Sequence, residues 1–129
     1  MPNSITRDHH NFTRTASFKK QTGIDDESID WTLGNKFHLL LVDGGTATFA
    51  VNPVNPCNLV LKVKQDSSGG NALAWAVTTG DIYWAGGGVT NGAGKPTITT
   101  TADRTDIISF YYDGDDKYFG VVSQDFDTS

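Results

Sequence analysis

The chain has 129 residues with 16 Thr, 14 Asp, 14 Gly and a single Glu, and a formal net charge of −5. This length supports one domain with its own core, and scarce Glu beside abundant Thr, Asp and Gly excludes a helical bundle or coiled coil in favour of strands and turns. The acidic balance argues against a dedicated nucleic-acid binder, which needs a basic surface to neutralise phosphates.

Residues 1–22 carry Arg7, Arg14, Lys19 and Lys20 against Asp8, a local balance of +3. Phe12 and Phe18 stand isolated among Ser, Thr, Asn and His, too little apolar surface to order the stretch by itself. Residues 1–28 are therefore read as an extended N-terminal arm and linker, with Arg7, Phe12, Arg14, Phe18, Lys19 and Lys20 offered to a partner. The charged-then-apolar pattern of a signal peptide is missing, and no apolar run reaches the roughly 18 residues of a membrane span. Neither a secretory leader nor a membrane partner is expected.

From Ile29 the pattern becomes period-two alternation, the mark of half-buried strands. Ile29, Trp31 and Leu33 form the first candidate. Phe37, Leu39 and Leu41 form the second, closing at Asp43-Gly44-Gly45. Ala47, Phe49 and Val51 follow, then the corner Asn52-Pro53-Val54-Asn55-Pro56. Leu59, Leu61 and Val63 face inward while Lys62, Lys64 and Gln65 face outward, up to the turn Asp66 to Gly70. Leu73, Trp75 and Val77 make the next strand, and Ile82-Tyr83-Trp84 a short one before the glycine-rich loop 85–95. Ile98 sits in a Thr-rich strand. Ile108, Phe110 and Tyr112 alternate, and Asp113-Gly114-Asp115-Asp116 turns the chain into Tyr118 to Val122.

Eight or nine short strands with turn chemistry between them predict an all-β domain over 29–129. The expected form is an antiparallel two-sheet β-sandwich, jelly-roll-like. Leu40, Val42, Val60 and Ile107 fall on outward positions, as does Tyr111, opposite Ile108 and Phe110. Trp84 precedes the glycine loop. Aromatic and aliphatic residues on a face that should be polar point to subunit contact or a ligand platform, with Trp84 and Tyr111 the candidate contacts.

The chemical motifs do not close. Gly94-Lys95 imitates a phosphate loop, but Val89 stands where its first Gly belongs and Pro96 where its Mg²⁺-binding Ser or Thr belongs. His9 and His10 are adjacent, so in an extended arm they point to opposite sides rather than chelate one ion. The cluster Asp113 to Asp116 lacks the remaining ligands of a calcium loop and reads as a hairpin turn. His38 is read as a solvated outward residue, and Cys57 as a small apolar filler. With no nucleophile elbow and no carboxylate placed in an apolar pocket, neither catalysis nor a cofactor or metal is expected.

Several segments, in order, carry a resemblance: Leu59 to Gly70, the Trp75 strand, Lys95 to Ala102, Thr105 to Asp113, and Tyr118 to Phe126. Together they resemble a β-module of tailed-bacteriophage virion proteins, found at the ends of tail fibres and in small structural proteins. The longer glycine loop and Thr78-Thr79-Gly80-Asp81 depart from that pattern. The resemblance implies a non-enzymatic virion protein built as a β-sandwich and assembling as a trimer, without catalytic residues to carry over. A short chain with an arm fits a capsid decoration or cement protein, the arm lying on the major capsid protein or a neighbouring virion subunit. The competing placement is a tail-fibre or tail-tip module that binds a receptor or host-surface glycan through Trp84, Tyr111 or the loop 86–94.

Overall fold

The computed structural model describes residues 19–129, and all the elements below lie within that range. Nine strands follow one another: β1 (Gln21–Ile24), β2 (Glu27–Asp30), β3 (Lys36–Leu41), β4 (Gly45–Val51), β5 (Cys57–Gln65), β6 (Leu73–Val77), β7 (Asp81–Trp84), β8 (Arg104–Tyr112) and β9 (Lys117–Asp127). Six form one sheet in the order β1-β3-β5-β8-β9-β7, and three form a second in the order β2-β4-β6. The all-β expectation and the two sheets therefore hold.

The strand directions do not follow the antiparallel expectation. β1, β3 and β5 run parallel, as do β2, β4 and β6, and β7 lies parallel to β9. Among the described strands only β5–β8 and β8–β9 are antiparallel, so the jelly-roll connection pattern is replaced by a mixed one. The reason lies in the turns. At 25–26, 42–44 and 66–72 the chain does not reverse within a sheet but arches from the large sheet to the small one. The small-sheet strand is then the crossover that parallel neighbours need. Side-chain alternation has the same period in either direction, so it carries no information about this choice.

Aspartates hold the arches in register. The Asp25 carboxylate accepts the backbone N–H groups of Val42 (2.8 Å), Asp43 (3.1 Å) and Gly44 (3.1 Å), tying the first arch to the second. Asp26 accepts from Thr46 N–H at 2.7 Å. In the third arch buried Gln65 donates to the carbonyls of Asn71 (2.8 Å) and Thr99 (3.0 Å), and Asn71 donates to Leu41 O at 3.0 Å. Buried Gln65 and Asn71 thus meet partners where the chain crosses between layers, whereas among the described residues the buried indole N–H groups of Trp31 and Trp75 have none.

The core lies between the sheets and is centred on Phe49 of β4. Its ring meets Trp31 at 5.4 Å, Trp75 at 6.4 Å, Phe110 at 5.2 Å and Tyr118 at 4.9 Å, all edge-on. Those geometries suit the ring quadrupoles and add to the burial of large apolar area. Tyr118 donates its hydroxyl to Asn52 Oδ1 at 2.6 Å, which satisfies the polar end of a fully buried ring.

Three boundaries differ from expectation. Among the described residues the strands begin at Gln21, inside the 1–28 stretch read as arm and linker, because pairing with β3 and β4 orders residues too polar to order alone. The Ile29 strand ends at Asp30: Trp31 turns inward with its backbone N–H on Val51 O, while Leu33 is 70% exposed. Ile98 is buried but its segment makes no ladder; Thr99 N–H goes to the Asp106 carboxylate instead, at 2.8 Å.

Candidate interaction surfaces

Alternation on β8, β9 and β7 sends Phe110, Tyr112, Tyr118 and Trp84 inward and their neighbours outward. Register then aligns the outward residues across three strands: Tyr111 opposite Phe119, and Phe119 opposite Tyr83. Val89 extends this row through a single bridge to Tyr83. Tyr83 and Phe119 stack at 5.7 Å. Tyr111 is 47% exposed and Phe119 45%, with Val121 more open beside them. These apolar side chains form a contiguous row on an outer sheet face rather than being singly scattered.

The same outer face carries a second feature at its other end. Outward positions on β1, β3 and β5 align Thr22 with His38 and Lys62, and Ile24 with Leu40 and Lys64. They line a groove of about 620 Å³ that Lys20 and Glu27 border. The imidazole of His38 sits below its ordinary range because partial burial and the charges of Lys62 and Lys20 all disfavour its protonated form. Sequence reading placed Lys62 and Lys64 outward but gave no sign that they share a groove with Lys20 and His38, since parallel stacking of β1, β3 and β5 creates that proximity.

Of the two ligand-contact candidates, Tyr111 is on the surface and Trp84 is not. Trp84 is 4% exposed, packs on Trp75 at 4.8 Å, and donates its indole N–H to Thr90 O at 2.8 Å. The glycine loop folds back to cover it. Thr90 N–H bonds to Ile82 O, and Asn91 Oδ1 accepts the backbone N–H of Trp75 at 3.1 Å, so the loop is anchored to both sheets. Tyr83 and Phe119, which sequence reading left out, complete the row; with Trp84 and Tyr118 buried in the structure, alternation sends both outward. Lys19 and Lys20 are exposed, whereas Arg7, Phe12, Arg14 and Phe18, with His9 and His10, lie outside the described residues.

Turn Asp113 to Asp116 closes the β8–β9 hairpin as expected, with the Asp113 carboxylate accepting Asp115 N–H at 2.7 Å and Lys117 N–H at 3.2 Å. Burial pushes the Cys57 thiol above its ordinary range, away from a reactive thiolate. Among the described residues no three His, Cys, Asp or Glu side chains converge as metal ligands. No family model, curated protein or solved structure matches the chain.

Proposed function

We propose that this chain is a non-enzymatic bacteriophage virion protein, a capsid decoration or cement subunit that oligomerises, as a trimer, through its β-domain. The observation that carries the assembly part is the exposed row Tyr111–Phe119–Tyr83 with Val121 and Val89. Burying such a row between copies removes apolar area from water at about 25 cal/mol per Å². The virion part rests on the ordered segments from Leu59 to Phe126 that resemble tailed-phage β-modules, and the two facing layers are compatible with a sandwich of that kind. In this reading the basic arm lies on the major capsid protein, and the acidic β-domain faces outward.

The row also favours a second reading, a tail-tip module that binds a host-surface glycan. Stacked aromatic rings on an open sheet face offer a sugar a flat apolar platform. Immuno-electron microscopy of phage or prophage particles from the encoding strain separates the two. Uniform labelling of heads, lost when residues 2–18 are deleted, is the expected result. Label confined to tail tips, with binding on a glycan array abolished by Tyr111→Ala, would replace the first reading with the second. Absence of label from particles would remove both.

A further inference from the structure

The groove over β1, β3 and β5 has a chemistry that the assembly row does not use. Lys62 and Lys64 stand two residues apart on β5, and residues so placed on a strand project from one face about 7 Å apart. Alternate side chains of an extended segment laid alongside repeat at the same distance. Lys20 borders the groove on the β1 side, and His38 lies between β1 and β5. Ile24, 55% exposed, and Leu40 supply an apolar floor. Among the described residues Glu27 is the single carboxylate lining the groove, and its Oε2 accepts Ile24 N–H at 2.9 Å.

We propose that this groove is a docking site for an extended acidic segment of a partner protein, its alternate carboxylates paired with Lys62 and Lys64 and the next with Lys20. Charge complementarity selects this occupant. The groove is a cationic strip on a chain whose net charge is −5, and residues 1–18 carry Arg7 and Arg14 against Asp8 alone, so the chain's own N-terminal stretch has no acidic run to offer it. A nucleic acid would bring a continuous run of charge toward an acidic molecule and has no use for the apolar floor. The inference is independent of whether the chain belongs to a virion.

His38 reports occupancy. The groups facing it are Thr22 of β1, Lys20 before β1, Lys62 and Lys64 of β5 and Glu27 of β2, with Lys36 two residues away on its own strand. A bound carboxylate reverses the local field and raises the imidazole's affinity for protons, so docking takes up a proton and strengthens as pH falls through the imidazole range.

The test uses the full chain and a fluorescein-labelled alternating Glu-Ala decapeptide, followed by anisotropy at low ionic strength. The expected result is saturable binding, weakened at least about tenfold in the Lys62→Glu/Lys64→Glu variant and lost near 1 M salt, where the Debye length is about 3 Å. The His38 ring resonances should titrate at higher pH when the peptide is bound. Circular dichroism verifies that the variant is folded; if it is not, Lys62→Gln/Lys64→Gln takes its place. The proposal is overturned if a Gln-Ala decapeptide binds equally well or if the folded variant binds as the parent does. Tighter binding of a thymidine decanucleotide, or no binding up to roughly 1 mM peptide, overturns it too.

Discussion

Tyr83 and Phe119 stack on the outer face of the six-stranded sheet, their ring centroids 5.7 Å apart and their planes inclined by 27°. Neither strand alone places them so: β7 meets β9 in parallel, aligning Phe119 with Tyr83 while Tyr111 flanks Phe119 from β8. Because Phe119 is half open to water, Phe119→Ala should cost the monomer only about 1 kcal/mol. If the row is an oligomer interface, the same change should weaken self-association more than about tenfold, since central aromatic anchors dominate such contacts. Sedimentation velocity over a concentration series, alongside thermal melts, checks both parts. An oligomer unaffected by both Phe119→Ala and Tyr111→Lys would refute the assembly role of the row.

Gly120 owes its identity to the rings beneath it. A Cβ there would stand 2.6 and 2.7 Å from Trp84 ring carbons and 3.0 Å from Phe110 Cε1. Those rings belong to a packed core and cannot withdraw, so Gly120→Ala should destabilise by about 1–3 kcal/mol. In a Trp84→Phe background the smaller ring leaves room, and the same change should cost at least about 0.5 kcal/mol less. Urea unfolding of the four variants measures the coupling; strictly additive losses would show that the contact is not the cause.

Asp25 should make stability depend on acid pH. Its partial desolvation raises the carboxyl's proton affinity, but the backbone N–H groups of Val42, Asp43 and Gly44 outweigh this and hold it below the ordinary range. A carboxyl depressed in the folded state contributes stability above its unfolded value of about 3.9, and that contribution is lost as pH falls through the lower folded value. Asp25→Ala should therefore lose about 1–2 kcal/mol at neutral pH and show a flatter decline below about pH 4. Asp25→Asn, which keeps one acceptor oxygen and tolerates the φ of 56° found there, should lose less. Urea midpoints across that range decide it, and equal losses for both variants would contradict the hydrogen-bond account.

His38 and Lys62 are coupled across β3 and β5. Burial comes first among the causes that lower the imidazole, followed by Lys62 and then Lys20. Lys62→Gln should therefore raise the His38 titration toward the ordinary value of about 6.5 without restoring it fully. The unfolded chain binds a proton here more readily than the folded one. Stability thus falls as pH drops from about 6.5 through the lowered folded value, and the variant should lose less over that window. Proton NMR of the imidazole gives the midpoint directly; an unchanged midpoint would refute the coupling.

Much of this was legible in the chain before any coordinates. Alternation at Phe37, Leu39 and Leu41, at Leu59, Leu61 and Val63, and at Ile108, Phe110 and Tyr112 marks the inward faces, and all nine are buried. Composition excludes helices for the same reason that it favours turns, and Asp113-Gly114 marks the one hairpin that needs no crossover. These are local properties: burial of one strand face and the backbone preferences of Asp and Gly act within a few residues.

Pairing direction, by contrast, belongs to the tertiary structure. A turn such as Asp43-Gly44-Gly45 has the same composition whether it makes a hairpin or an arch. The arch forms because Asp25, 17 to 19 residues away, accepts its amides. Trp84 is buried because Thr90 and Asn91 draw the glycine loop over it, which no local pattern announces. The two surfaces follow the same rule: parallel stacking gathers Lys20, His38, Lys62 and Lys64, and the β7–β9–β8 register lines up Tyr83, Phe119 and Tyr111. The sequence by itself determined most of the inward residues, through hydrophobic burial at period two, but not Gln65 and Trp84, which are buried against expectation, nor Leu33 and Val51, which are exposed. Which outward residues become neighbours was decided only when long-range hydrogen bonds chose the partners of each strand.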